Sequence, residues 1–414
     1  MGEARGTQVE IEVTGIAHGG ISVGRLDGRV VFVGDAIPGE TVVAEITDDS
    51  KKSFWRADTV SVLQPSPHRR DHVWAEASVD RAPEDRAGGA EFGHIDSAHQ
   101  RELKRQVITD SLQRMAGIER DVVVEPLPGA DDGTGWRTRV RLHVADDGTV
   151  GPYAARSHRV IPVSSLPLAV AEAQVIAPLT EHFTGADHID LVVPSVGNPF
   201  VLQGSADRKE RPKAQRIVER VGDREFRLDV RGFWQVHRDA AQTLTTAVQE
   251  GIDENLFDPR AANLDLYGGV GLLAAAVGDR FGNHVRITTV ESDSNATDHA
   301  AENLAEWVGA NAVTARVENY LRGLSKDASA ADRERLSRAT VVLDPPRSGA
   351  GKAVVDQLAE LSPQQLVYVA CDPVALSRDL ALFADRGYDL SGLRAFDLFP
   401  NTHHVEAVAT LVRR

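Results

Sequence analysis

Sulfur and aromatic side chains are scarce in this chain. Its 414 residues hold one cysteine, two methionines and 5% aromatics. A single cysteine excludes an intrachain disulfide and any metal site built on several thiolates. Long apolar runs are missing too, and no stretch approaches the roughly 20 apolar residues of a membrane helix. Met1 to Thr14 lacks the apolar core of a secretory leader. We therefore expect a cytoplasmic protein, monomeric, with no membrane segment. Excess positive charge is also missing. The net charge of −15 argues against a generic nucleic-acid binder. The charge is uneven, however: residues 136–159 hold five Arg against two Asp, and residues 197–231 hold nine Lys/Arg against six Asp/Glu. Such stretches fit either a solvated face or a surface shaped for one polyanionic target.

The length suggests more than one domain, and 42% apolar residues suffice for their cores. Residues 7–63 contain five short β-rich runs broken by Gly and Pro, the pattern of a small OB-type barrel. Gln64-Pro65-Ser66-Pro67 reads as a linker. Residues 68–95 are polar and irregular, and a helix is expected from Ser97 to Met115, stopped by Gly117. Residues 120–231 mix strands and loops, and a helix is expected over Asp239–Glu254. From residue 260 strands and helices alternate. Strands fit Ala262–Leu266, Val285–Val290, Ala312–Val317, Thr340–Leu343 and Leu366–Ala370, with a last one at Val405–Val412. Short continuous apolar runs are the mark of buried parallel strands. The fold class is thus α/β: a barrel in residues 1–65, a central mixed α+β domain in 66–235, and a Rossmann-like domain in 236–414. Helix 97–117 has the option of packing on the last of these.

Ligands of such sheets bind at the carboxyl ends of the strands, and four motifs fall there. In Leu264-Asp265-Leu266-Tyr267-Gly268-Gly269-Val270-Gly271 a strand runs into a glycine-rich turn. Glu291 ends the next strand, where it can accept from ribose hydroxyls. The pair marks a nucleoside cofactor without separating NAD from S-adenosylmethionine, although Asp265 and Tyr267 lean to the latter. Asp344-Pro345-Pro346-Arg347 stiffens the turn after the fourth strand. Methyltransferases acting on exocyclic amines carry an aromatic after the two prolines; Arg347 argues against that chemistry. Cys371, in Ala370-Cys371-Asp372-Pro373, ends the fifth strand. A lone thiol is more often packing than chemistry, but a strand end is where loops carry function. Glu406 opens the last strand, a position where Glu is ordinarily a surface residue. Together these residues suit methylation of uracil carbon 5. A thiolate adding to carbon 6 makes carbon 5 nucleophilic, and a base later removes the carbon 5 proton. The site should then favour the thiolate.

These motifs, with Gly232-Phe233-Trp234-Gln235-Val236 and Phe399-Pro400-x-Thr402-x-His404-x-Glu406, resemble those of the class I RNA 5-methyluridine methyltransferases over nearly the whole chain. The resemblance implies that residues 7–63 form a TRAM domain, a small RNA-binding barrel. It implies that Gln235, Tyr267, Glu291 and Asp344, with Asn319, bind S-adenosylmethionine. Cys371 would be the nucleophile, Glu406 the base, and the Arg-rich middle segment would contact RNA. A TRAM barrel tilts the substrate towards 23S ribosomal RNA, with a tRNA T-loop uridine as the alternative. Residues 1–65 are acidic, six Lys/Arg against ten Asp/Glu, which departs from an RNA-binding surface.

Many relatives also hold an iron–sulfur cluster on four cysteines, two of them in a Cys-Gly-Gly-Cys run. Here Ala87-Gly88-Gly89-Ala90 stands in that run, with Arg81 and Leu166 at the other two positions. A dinucleotide-dependent oxidoreductase would leave Cys371, Glu406 and the Asp-Pro-Pro-Arg turn without a role. A non-catalytic RNA-binding protein would leave the complete residue set without one. A four-thiolate cluster cannot form on one cysteine. The purified protein is predicted to carry no stoichiometric iron and no visible cluster absorbance; an iron assay giving four atoms per chain would overturn this.

Overall fold

A computed structural model describes residues 4–204 and 215–414. Four of the Lys/Arg residues of the basic stretch 197–231, Arg208, Lys209, Arg211 and Lys213, lie outside the described residues. Strands β1 (Gln8–Ala17), β2 (Ile21–Leu26), β3 (Arg29–Gly34), β4 (Thr41–Asp48) and β5 (Phe54–Gln64) close into a barrel in the order β1-β2-β3-β5-β4. Alternation drives it: Ile11, Val13, Val31, Val33, Val42, Ala44 and Ile46 point into one apolar core.

After two short 3₁₀ turns comes α1 (Ser97–Ser111), capped by the Asp96 carboxylate on the His99 amide. It ends through a π turn at left-handed Gly117, whose φ is 63°. Next are β6 (Val124–Pro126), β7 (Arg139–Val144), β8 (Val150–Gly151), α2 (Ala171–Ile176), β9 (His188–Val192) and β10 (Phe200–Gly204). Strands β10-β9-β7-β8 form one antiparallel sheet, and β11 (Arg216–Val221) pairs with β12 (Arg224–Asp229) in a hairpin. Ala87, Ala90 and Leu166 are buried in one apolar cluster with Trp74, Trp136 and Leu168. Arg81 is partly exposed and offers its carbonyl to Arg86 Nε. Arg86 is buried and ties this loop to the barrel through Asp35 at 2.7 Å and the Thr59 carbonyl at 2.8 Å.

The last region holds α3 (Ala240–Gly251), β13 (Asn263–Leu266), α4 (Leu272–Phe281), β14 (Ile287–Glu291), α5 (Ser294–Asn303), β15 (Ala310–Thr314), α6 (Val317–Asp327), α7 (Ala330–Ser337), β16 (Thr340–Leu343), α8 (Gly351–Leu361), β17 (Gln365–Ala370), α9 (Pro373–Ala384), β18 (Tyr388–Asp397) and β19 (Glu406–Arg413). One eight-stranded sheet runs β15-β14-β13-β16-β17-β19-β18-β6. Strands β13 to β17 are parallel, and β19 is antiparallel to both neighbours. Three features differ from the sequence expectation. The strand expected at 312–317 lies at 310–314, because Val317 opens α6 and is buried from the helix. The helix expected over 239–254 stops at Gly251. Strands β18 and β6 are absent from the sequence expectation, and β6 brings the central segment onto the eight-stranded sheet by pairing with Ala395–Asp397. Among the described residues no helix is long and apolar enough to cross a membrane.

Helix α1 lies against this sheet: Ile108, Leu112, Val122 and Val124 share a core with Tyr368, Leu376 and Ala395. Its Lys104 is fully buried and meets Asp397, at the end of β18, at 2.5 Å. Nζ also donates to the Phe399 carbonyl at 3.1 Å. Removing one member of such a pair strands the other charge in the core. K104M should cost about 3–5 kcal/mol in denaturant unfolding, and K104M/D397N should recover much of it; a loss under about 1 kcal/mol for K104M would mean that the ion pair does not hold α1 to the sheet.

Candidate active site

The sheet's carboxyl edge opens into a cavity of ≈ 1040 Å³. Gln235, Tyr267, Glu291, Asn319, Asp344, Cys371 and Glu406 all line it, so seven residues spread over 172 positions of sequence meet in one place. Arg347, His404 and the exposed Phe233 complete one side.

Strand β13 delivers the glycine turn. Asp265 is completely buried beneath it and accepts from Thr289 Oγ1 at 2.9 Å. Burial raises the Asp265 carboxyl to about 6. A Cβ on Gly268 would sit 1.9 Å from Thr289 Oγ1 and 2.5 Å from Asp265 Oδ2, so only glycine fits. Tyr267 adopts a φ of 62°, which is costly for an aromatic residue and tolerated here by the surrounding turn. Glu291 Oε2 accepts from the Gly269 amide at 3.2 Å, while Oε1 takes the Ser292 and Asp293 amides. The carboxylate is therefore fixed at the cavity rim. Asn319 stands on the first turn of α6, reached by Arg322 at 3.3 Å. Gln235 lies on a loop whose Val236 carbonyl accepts from the Thr138 amide at 2.8 Å.

Asp344 follows β16 and donates its amide to Leu266 O at 3.2 Å. Its turn is pinned from behind: Asp379, fully buried, accepts from the Ala350 amide at 2.8 Å and from Tyr368 Oη at 2.8 Å. Neither Asp379 nor Tyr368 was singled out from the sequence, where each looked like an ordinary helix or strand residue.

Register brings Cys371 and Glu406 together. Strands β17 and β19 are antiparallel with Ala370 opposite Ala407, so the next residue of one lies beside the preceding residue of the other. Glu406 is 4% exposed, so it is a core carboxyl and not a surface one. Burial, and then repulsion from Asp344, push it well above the ordinary carboxyl range, with Arg347 opposing. Burial and Asp265 raise Asp344 to about 7. Cys371 is partly buried, and burial followed by the Glu406 and Asp344 charges pushes its thiol up to about 12. The expectation of a favoured thiolate is thus corrected: this protein by itself holds the thiol protonated. His404, crowded by burial, His403 and Arg347, is lowered to about 3 and is neutral at pH 7.

The Arg-rich segment is largely committed to internal pairs. Arg139 meets Glu219 at 3.5 Å, Arg141 meets Asp190 at 2.7 Å, Arg156 pairs with Asp58, and Arg159 meets Asp85 at 2.5 Å. Among the described residues Arg137 has no acidic partner, and it lines the cavity. Alternation of Arg with apolar residues reveals a strand but not which guanidinium stays free.

The chain is similar to known RNA methyltransferases. The tRNA (Uracil-5-)-methyltransferase family pattern matches residues 233–414, and the TRAM domain pattern matches residues 3–54. An uncharacterized RNA methyltransferase of Streptomyces avermitilis is 36% identical over 451 residues, covering 98% of both chains. Another, of Streptomyces coelicolor, is 35% identical and covers 98% of this chain and 93% of its own. In fold, the chain matches the crystal structure of Pyrococcus abyssi tRNA (uracil-54, C5)-methyltransferase in complex with S-adenosyl-L-homocysteine, with a TM-score of 0.69, 20% identity, and coverage of 98% and 100%. The chain therefore belongs to the S-adenosylmethionine-dependent RNA uracil-5-methyltransferase family, with an N-terminal TRAM domain.

Proposed function

We propose that this enzyme methylates carbon 5 of a uridine in 23S ribosomal RNA through a covalent adduct on Cys371, with Glu406 as the base. The observation that carries the mechanism is the β17–β19 register, which sets the lone thiol beside a buried carboxyl at the cavity wall.

The cavity's donor set suits the cofactor. A turn that admits only glycine lets backbone approach closely, and Glu291 offers a fixed carboxylate to ribose hydroxyls. Gln235, Tyr267, Asp344 and Asn319 complete the cradle. S-adenosylmethionine, when bound, supplies a methyl group on a cationic sulfonium. Cys371 gives its thiol proton to water as the site is loaded, and the Sγ thiolate adds to carbon 6 of uracil; the C5=C6 pair moves into the ring carbonyl system, and carbon 5 becomes the nucleophile. Once carbon 5 carries its methyl group, Glu406 takes the remaining proton. The C–H electrons rebuild C5=C6, and Sγ leaves. The target uridine must be unpaired or flipped to reach the cavity.

The raised pKa values of Cys371, Asp344 and Glu406 have burial as their first cause and a negative neighbour as the second: Asp265 for Asp344, Asp344 for Glu406, and Glu406 then Asp344 for Cys371. Any positive charge brought among them lowers all three together. Thiolate formation is thereby tied to loading of the site, which keeps the nucleophile inert beforehand.

The ribosomal target is carried over from the family resemblance, in which a TRAM barrel tilts the substrate towards 23S ribosomal RNA; the barrel alone does not separate the two RNAs, because the match to the Pyrococcus abyssi tRNA enzyme covers 98% of this chain. The tRNA T-loop reading is favoured by one observation: the structure of matching fold is named as a tRNA (uracil-54, C5)-methyltransferase and aligns over its full length. Mass spectrometry of rRNA and tRNA from a deletion strain decides between them. Loss of a 5-methyluridine from 23S rRNA is expected; loss only from tRNA would overturn the ribosomal target.

Two measurements test the mechanism. C371A should reduce methyl transfer to background, and E406Q should accumulate a denaturant-resistant protein–RNA adduct; methylation by C371A at the wild-type rate would end the covalent reading. Because Cys371 is the sole cysteine, iodoacetamide reads it alone. In ligand-free protein at pH 8 its alkylation should be at least about tenfold slower than that of a free thiol of pKa about 8.5. E406Q removes a negative neighbour, lowers the thiol pKa and should speed alkylation. An alkylation midpoint at or below 8.5 in the wild type would contradict the electrostatics of the site.

A further inference from the structure

The turn joining β1 to β2 is three residues long, His18-Gly19-Gly20. It projects from the barrel onto the catalytic domain. His18 Nε2 donates to Asp372 Oδ2 at 2.7 Å, across 354 positions of sequence. Asp372 is the residue after Cys371, and its second oxygen, Oδ1, accepts from the Ala375 amide at 2.7 Å as the N-cap of α9. Both oxygens are thus engaged, one by the helix and one by the barrel. The peptide that carries the thiol is held from two sides.

A second contact of the same turn is independent of the first. Gly20, at φ 70°, is pressed on the segment leading to Glu406: a Cβ there would lie 2.2 Å from His403 Cβ and 3.0 Å from Phe92 Cε1. Between turn and sheet lies a small cavity of ≈ 140 Å³ lined by His18, Gly20, Lys104, Arg347, Cys371 and His403. Cys371 and Arg347 belong to this cavity and to the large one as well. The nucleophile therefore stands in a wall between the cofactor cleft and a compartment that the barrel roofs.

We propose that the barrel turn is part of the catalytic apparatus, with His18 a positioning residue that orients Cys371 through Asp372. The barrel then does more than hold RNA: its docking sets the geometry of the thiol. His18 is about half exposed, so its bond to Asp372 adds little to global stability. That separates a positioning role from a structural one, since the rate of thiol addition should respond while the melting temperature does not.

This inference rests on the covalent reading above, and the test keeps the two apart. Wild type, H18A, H18Q and C371A are compared on RNA carrying 5-fluorouridine at the target, which halts the reaction at the adduct because no carbon 5 proton can be removed. H18A should form the adduct about tenfold more slowly and show a kcat lowered by the same factor on normal RNA, the scale of one lost charge-assisted hydrogen bond. Its KM for RNA should stay within about twofold of wild type. H18Q, which keeps an N–H donor on a side chain of similar reach, should recover part of the rate. A raised KM with unchanged kcat would make the turn an RNA contact only and overturn the proposal, as would wild-type adduct kinetics in H18A. An adduct with C371A, or none with wild type, would instead remove the covalent reading and this inference with it.

Discussion

Asn401 is the joint on which the site depends. It is fully buried in the connection between β18 and β19, in the left-handed region at φ 64°. Every polar group it has is used. Its amide donates to Gln100 Oε1 at 2.8 Å, and its side-chain oxygen accepts from Gln100 Nε2 at 2.9 Å and from Arg70 at 2.7 Å. Its side-chain nitrogen donates to the carbonyls of Asp132 and Gly133, and its carbonyl accepts from the Phe92 amide. One side chain thereby fastens α1, the loop of residues 68–95 and the loop near residue 132 to the sheet. A satisfied buried network of this kind rigidifies, whereas a half-satisfied one would cost more than an apolar core. Five residues further on lies Glu406. The Lys104–Asp397 pair clamps the same connection at its start. Glu406 is thus placed by a segment fixed at its start and at its middle by charges and amides from the central region.

The sheet edge itself is electrostatically crowded. Asp265, Asp344 and Glu406 crowd a largely apolar edge, and the Cys371 thiol lies among them. Nothing in packing requires three carboxyls there. Their mutual repulsion is tolerated because Thr289 relieves Asp265 and Arg347 leans on Glu406 and Cys371. An arrangement unfavourable in the free protein and relieved by a cationic ligand is the usual electrostatics of an active site.

Much of this was legible in the sequence, and the reasons differ by element. The parallel strands β13, β16 and β17 are wholly buried; β16 and β17 read as nearly continuous apolar runs, and β13 is marked by the glycine turn that follows it. Barrel strands read through alternation and Gly-Pro turns. Strand β18 did not: Asp389, Ser391, Gly392 and Arg394 interrupt it, and a register shift falls between Leu390 and Gly392. β6 is three residues ending in Pro126, which only an edge position tolerates. Tyr267, Glu291, Asp344, Cys371 and Glu406 were legible because each stands at a strand end. Their supports were not. Gln100, Lys104 and Asp379 find partners 301, 293 and 29 positions away, and no local pattern announces such pairs. The Arg run misled for the opposite reason: its charges are visible in sequence, but the Asp and Glu residues that neutralise them are remote.

The Ala87-Gly88-Gly89-Ala90 loop is held in a different way. Ala87, Ala90 and Leu166 lie in an apolar cluster with two tryptophans, so the loop is held by burial. Burial is non-directional and does not by itself fix a loop's orientation. Orientation comes from Arg86, which is buried and reaches the barrel through Asp35 and Thr59. A further tie, Arg69 to Glu40 at 2.6 Å, fixes the barrel from the other side. Directional ion pairs at the barrel seam thus supply what an apolar cluster cannot, a defined angle between barrel and catalytic sheet. That angle is what brings the β1–β2 turn onto Asp372, so the placement of Cys371 is tied to how this region is held.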